Sequence, residues 1–196
     1  MSFPDTKRRT LSGGAIVFQP SENGPLWRIA SGVVCLETTN GLCRQLVQLA
    51  LPGDLLGVET LFDQPMRFQA RALVATALDR IKLPAPAERT GLMREALATQ
   101  QERSLHMTAL RTGAVSNRLG HFLQLMGHGG VPGEPYPCAR SERIRRSLPP
   151  LRDLAEVVDA KAETVCRVLA QLLPKPAPAV GLRLPPLPTL MPHALA

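Results

Sequence analysis

The sequence predicts an α+β chain of three parts: a β-roll, a long helix and a helix-turn-helix unit. Three observations carry this reading. Short β-rich runs broken by Gly, Pro and Asn fill Thr10 to Leu83; the apolar period changes from two toward 3.6 near residue 88; and "LRDLAEVVDAKAETVCRVLAQL", residues 151 to 172, keeps helical apolar spacing on both sides of a short break. The expected parts are residues 1–87, 88–112 and 113–196.

In the first part, "AIVF", "LWRIASGVVCLET", "RQLVQLAL" and "RALVATALDRIKL" read as strands. "TTNGLC" between two of them is a hairpin signal, because Asn40 and Gly41 tolerate the positive φ of a type I′ turn. Several short strands with regular turns imply a barrel or roll. The helix "ERTGLMREALATQQERSLHMTALR" sets Leu92, Ala96, Gln100, Arg103, Met107 and Leu110 on one stripe. A helix of about 20 residues, ~30 Å long, is expected to exceed what so small a roll can cover and to bury this stripe against a second copy. Gly113 marks a hinge at residues 111–113, after which Val115, Leu119, Phe122, Leu123 and Met126 resume the helical pattern.

A loop, "GHGGVPGEPYP", leads to "ARSERIRRSLPP", which holds Arg140, Arg143, Arg145 and Arg146. The segment at 151–172 then divides into two helices joined by "VDA". Leu154 and Val158 face inward on the first with Ala155 permitting a close crossing; Val165, Val168, Leu169 and Leu172 face inward on the second. Asp159 is suited to a left-handed turn. The outward positions of the second helix are Ala162, Glu163, Cys166 and Arg167.

Charge agrees with a polyanionic partner. The 196 residues carry 23 basic and 16 acidic side chains, net +7, and the excess lies C-terminally: 12 basic against 10 acidic over residues 1–110, 11 against 6 over 111–196. Neutralised phosphates release counterions, which favours such a surface on nucleic acid. In the major groove Arg reads guanine O6 and N7, and Glu accepts from cytosine N4. Glu163, Cys166 and Arg167 are therefore candidate base contacts, with Arg145, Arg146, Arg152, Lys161 and Lys175 as candidates for the DNA backbone. The alternative is that Glu163 and Arg167 form an ordinary surface pair at i and i+4.

Other classes find less support. No paired-carboxylate, Ser/His/Asp, Cys/His or phosphate-loop pattern argues for an enzyme. The four cysteines form no CxxC and no His stands near them at ligand spacing, so reduced thiols and no metal are expected. The N-terminus lacks an apolar signal region and no apolar run approaches ~18 residues. A cytoplasmic protein without a membrane partner is the expectation.

The order of parts, and residues along most of the chain, resemble the bacterial cyclic AMP receptor protein and fumarate-nitrate regulator (CRP/FNR) family. "SGVVCLE" and "LPGDLLGVETLF" resemble the family's β-roll, the latter with its PGDxxG turn; "SNRLGHFLQLM" resembles the helix after its hinge; "AETVCR" resembles the E-T-V-x-R core of its recognition helix. The resemblance implies a cyclic-nucleotide-binding-like β-roll, a dimerisation helix and a winged helix-turn-helix. It also implies a homodimeric transcription regulator on palindromic double-stranded DNA, with RNA polymerase as a partner.

Departures are specific. Members that bind cyclic nucleotides follow the turn glycine with Glu and carry Arg-Ser or Arg-Thr about ten residues later. Here Gly57 precedes Val58, and Arg67 precedes Phe68. Leu56, Gly57, Val58, Glu59 and Arg67 are accordingly an effector pocket not suited to cyclic AMP, and no cofactor is expected. Lys161 replaces the usual Ser or Thr helix cap, at a typical cost of ~1 kcal/mol. Seven of the last 23 residues are proline, which implies a short or frayed wing. An alternative function follows: an effector sensor whose DNA reader has decayed and which acts through a protein partner.

Overall fold

The computed structural model describes residues 8–40 and 43–175. The expected wing beyond residue 175 and the Gly41 position of the expected turn lie outside the described residues.

Among the described residues, eight strands form two four-stranded antiparallel sheets: β1 (Arg8–Leu11), β2 (Ile16–Phe18), β3 (Leu26–Ser31), β4 (Val34–Asn40), β5 (Cys43–Ala50), β6 (Leu55–Leu56), β7 (Gln69–Ala72) and β8 (Thr76–Ile81). Their orders are β1-β8-β3-β6 and β2-β7-β4-β5. The pairing of Asn40 with Cys43 sets the β4–β5 connection at residues 41 and 42, one place beyond the Asn40–Gly41 turn expected. Gly32, between β3 and β4, has φ +91°, and a Cβ there would lie 2.4 Å from the Thr76 hydroxyl and 2.5 Å from the Ala75 carbonyl. Only glycine fits this corner of the roll.

The sheet holding β4 and β5 is apolar on both faces. Val34 and Ala50 belong to the interior of the roll with Trp27, Ile29 and Leu78, whereas Cys35, Leu46 and Leu49 belong to a second core shared with the helices. Successive residues of a strand point to opposite faces, so this sheet needs a cover outside as well as a filling inside. The helices supply it.

The long helix α1 (Thr90–Arg111) is followed by α2 (Val115–Leu125), α3 (Cys138–Ser147), α4 (Leu151–Val157) and α5 (Ala162–Leu172). The apolar stripe of α1 lies elsewhere than expected. Most of its stripe does not wait for a second copy; it packs on the chain's own roll. Leu92 and Ala96 pack against Leu26, Leu55 and Leu61, while Arg103, Met107 and Leu110 are buried and only Gln100 of the stripe is exposed. Arginines fasten the helix at both ends and at its middle. Arg89 reaches Asp63 and the Leu61 carbonyl at 3.0 Å, Arg103 grips Asp54 at 2.7 and 3.0 Å, and Arg111 donates to the Leu46 carbonyl at 2.6 Å. The expectation failed because the roll's outer face is apolar enough to take the helix.

The opposite face of α1 stays open, with Leu97 62% and Leu105 73% exposed. Arg94, Ala98, Gln101, Leu105 and Thr108, all exposed, follow one another at alternating steps of four and three residues, the spacing of a coiled-coil seam.

Candidate nucleic-acid interface

Two proline-punctuated turns introduce the C-terminal helices: Pro137 precedes α3, and Pro149 and Pro150 precede α4. Proline cannot continue a helix but suits its first positions, because its missing N–H has no intrahelical partner there. Leu154, Ala155 and Val157 from α4, Val158 just after it, and Val165, Leu169 and Leu172 from α5 are buried in one core with Leu119, Phe122 and Leu123 of α2. Asp159 stands at φ +46°, the left-handed residue the sequence requires. The Ala160 N–H closes back on the Ala155 carbonyl at 3.0 Å, a helix stop that satisfies an acceptor α4 would otherwise leave open.

This packing turns Glu163, Cys166 and Arg167 outward together on α5, all exposed, with Ala162 and Lys161 exposed at its start. Among the described residues no ion pair between Glu163 and Arg167 is formed, and both side chains are exposed. Lys161 takes the cap position with an extended backbone and no side-chain cap bond. The first-turn N–H groups of α5 therefore have no capping oxygen from that residue.

The candidate backbone contacts divide. Arg152 and Lys175 are exposed, and Arg146 is exposed beside Glu142 at 3.3 Å. Arg145 points elsewhere: it is half-buried and donates to the Leu173 carbonyl, tying α3 to the end of α5. Two further groups escaped the sequence reading. Arg118 of α2 donates to the carbonyls of Val158 and Asp159, both at 3.0 Å, and Arg71 of β7 bonds Glu37 at 3.0 Å and Asp153 of α4 at 3.2 Å. Neither role carries a local sequence signal, since these partners of Arg71 and Arg118 lie 34 to 82 positions away.

In the roll, Leu56, Gly57, Val58 and Glu59 line a cavity of about 80 Å³ with Phe18, Phe68 and Thr99. Arg67 is not among its walls. The Arg67 side chain is exposed, and its backbone N–H donates to Glu59 at 3.2 Å. No basic side chain among the described residues lines this cavity, but Arg67 lines an open cleft of about 880 Å³ that shares Val58, Glu59 and Phe68 with it. The volume of the enclosed cavity falls short of the ~300–1,000 Å³ of a usual ligand pocket.

A histidine pair spans the hinge. His106 Nδ1 of α1 and His121 Nε2 of α2 share a hydrogen bond at 3.1 Å, and Glu102 stands 3.7 Å from the other nitrogen of His106. Burial, and then the charge of His106, hold His121 below the ordinary imidazole value of 6.5; burial with Arg143 and Arg140 does the same for His128. Folding therefore favours the neutral rings, and the unfolded chain binds more protons. Stability is expected to be full above about pH 6.5 and to decline as pH falls below it. Urea midpoints measured at about pH 7.5 and 5.5 check this, and His121→Asn should lessen the acid loss.

Compared with protein-family models and with curated proteins, the sequence finds no match. Solved structures do match. A CRP/FNR family transcriptional regulator from Thermus thermophilus aligns over 85% of this chain and 85% of its own, with TM-score 0.57 and 20% identity. A CRP family regulator from the same organism aligns over 84% and 83% at TM-score 0.59 and 21% identity. FixK2 from Bradyrhizobium japonicum aligns over 85% and 84% at TM-score 0.55 and 21% identity. With a two-sheet roll, a long helix and a helix-turn-helix in the same order, this chain has the fold of the CRP/FNR transcriptional regulators.

Proposed function

We propose that the chain is a sequence-specific DNA-binding transcription regulator that reads a two-fold symmetric site as a homodimer. The observation that carries the proposal is the joint exposure of Glu163, Cys166 and Arg167 on α5, held outward by a buried helix-turn-helix core. Arg167 is assigned to guanine and Glu163 to cytosine on neighbouring pairs. Arg146, Arg152, Lys161 and Lys175 are assigned to phosphates, with the uncapped start of α5 as a further donor set. Arg145, engaged with Leu173, serves by holding α5 in place.

Dimerisation is assigned to the open seam of α1 through Ala98, Gln101 and Leu105, a different face from the stripe that packs on the roll. A dimer would bring two α5 helices to successive major grooves about 34 Å apart. The reading carries a cytoplasmic location and RNA polymerase as a partner; no described helix is long and apolar enough to cross a membrane. It does not include cyclic AMP, because Gly57 is followed by Val58 rather than Glu and Arg67 by Phe68 rather than Ser or Thr, which leaves the ribose and phosphate contacts of a buried polar ligand incomplete.

The test is selection of bound duplexes from a random pool by the purified, reduced protein. A symmetric site with half-sites one helical turn apart is the expected result, and Arg167→Ala should cost ~1–3 kcal/mol on that site and relax one base position. Equal binding to all sequences by wild type and variant would remove the assignment. The second reading, a sensor whose DNA reader has decayed, is favoured by the missing cap on α5. It predicts a shallow salt slope and no sequence preference.

A further inference from the structure

Arg118 occupies a junction that the DNA-reading assignment does not use. It lies on α2, five residues beyond Gly113, whose φ of +82° ends the run of α1. Its Nε donates to the Gly113 carbonyl at 2.9 Å, and its Nη1 donates to the carbonyls of Val158 and Asp159 at 3.0 Å each. One planar guanidinium thus touches both the hinge after α1 and the turn before α5.

The chemistry of that group matters. The Val158 and Asp159 carbonyls emerge where α4 stops and the chain turns left-handed, so their acceptors point away from any helix ladder. A guanidinium presents its donors in a rigid plane, and charge-assisted bonds from it are directional. The apolar contact among Leu119, Leu123, Val165 and Leu169 is not directional, and on its own it leaves α5 able to slide and tilt on α2. Lys161, the cap of α5, follows Asp159 by two residues, so the direction of α5 is inherited from the turn that Arg118 holds.

We propose that Arg118 is a positioning residue that fixes the angle of α5 to α1 and so sets how well the protein discriminates between DNA sequences. The proposal rests on the DNA-reading assignment. It differs from a phosphate contact, for which any cation at this position would serve.

The experiment compares full-length wild type with Arg118→Lys, which keeps the charge and loses the fork. Affinity is measured on a selected symmetric duplex and on an unrelated duplex of equal length, with hydrogen exchange followed at the Ala160 amide. The expected result is unchanged affinity and salt slope on the unrelated duplex, about tenfold weaker binding to the selected one, and faster exchange at Ala160. An unchanged ratio between the duplexes overturns the proposal, whatever happens to stability. Wild type that separates no duplex from any other overturns the DNA-reading assignment itself, and this proposal with it. Should Arg118→Lys fail to fold, Arg118→Met in an Asp159→Gly background, where the turn no longer strains a non-glycine residue, carries the same comparison. A fallen ratio supports the proposal there and an unchanged one overturns it.

Discussion

Arg71→Met is expected to destabilise the protein by about 3–5 kcal/mol, because it removes one member of a buried ion pair and leaves the other without compensation. Arg71 is 4% exposed and Glu37 1%. The guanidinium contacts both oxygens of Glu37, at 3.0 and 3.3 Å through Nε, and reaches Asp153 at 3.2 Å through Nη1. Once it is gone, the Glu37 carboxylate keeps only the Gln69 amide at 3.2 Å and a distant Arg44 at 4.0 Å. That is too little for a carboxylate removed from water. The companion variant decides the interpretation. Replacing Glu37 by Leu together with Arg71→Met leaves no orphaned charge and should recover most of the loss, since apolar replacement of a whole buried pair is often neutral. Urea unfolding of the two single variants and the double gives the coupling directly. A loss below about 1 kcal/mol for Arg71→Met would mean that water enters the site and that the pair is not buried in solution.

That pair also marks where the sequence stops being legible. The helix-turn-helix could be read because its information is local: four-residue spacing places Leu154 with Val158, and Asp159 is among the few residues that accept a left-handed turn. The outward face of α5 follows from the same period. By contrast, Arg71, Glu37 and Asp153 come from β7, β4 and α4, and nothing in the neighbourhood of each separates it from an ordinary surface charge. The covered face of α1 failed for a related reason. A stripe shows that a helix is buried but not by what, and "VVCLE" and "LVQLAL" already carried the answer in runs apolar at consecutive positions, the mark of a strand covered on both faces. Arg67 and Phe68 are neighbours at the entry to β7, and one residue of register decides what each lines: Phe68 reaches the enclosed cavity, and Arg67 only the open cleft beside it.

Phe122→Ala is expected to cost about 3–5 kcal/mol and to lower the stability of the roll as much as that of the helices. Phe122 is fully buried in the core that joins α1, α2, α4 and α5 to the outer face of the β4–β5 sheet. Trp27, the one tryptophan of the chain, reports on the other core, inside the roll. The two cores have no residue in common, but they share a strand: Val34 faces Trp27's side and Cys35 faces Phe122's. Unfolding the helices would expose Cys35, Leu46 and Leu49 to water, so a roll left standing alone would carry an uncovered apolar face. The two halves are thereby committed to one transition. In thermal or urea unfolding, Trp27 fluorescence and helical circular dichroism should give coincident curves in the wild type. Both should move together in Phe122→Ala. A Trp27 transition that stays at the wild-type midpoint while helicity is lost earlier would show a roll stable without its helical cover. The Arg71–Asp153 ion pair would then not be holding α4 to the sheet.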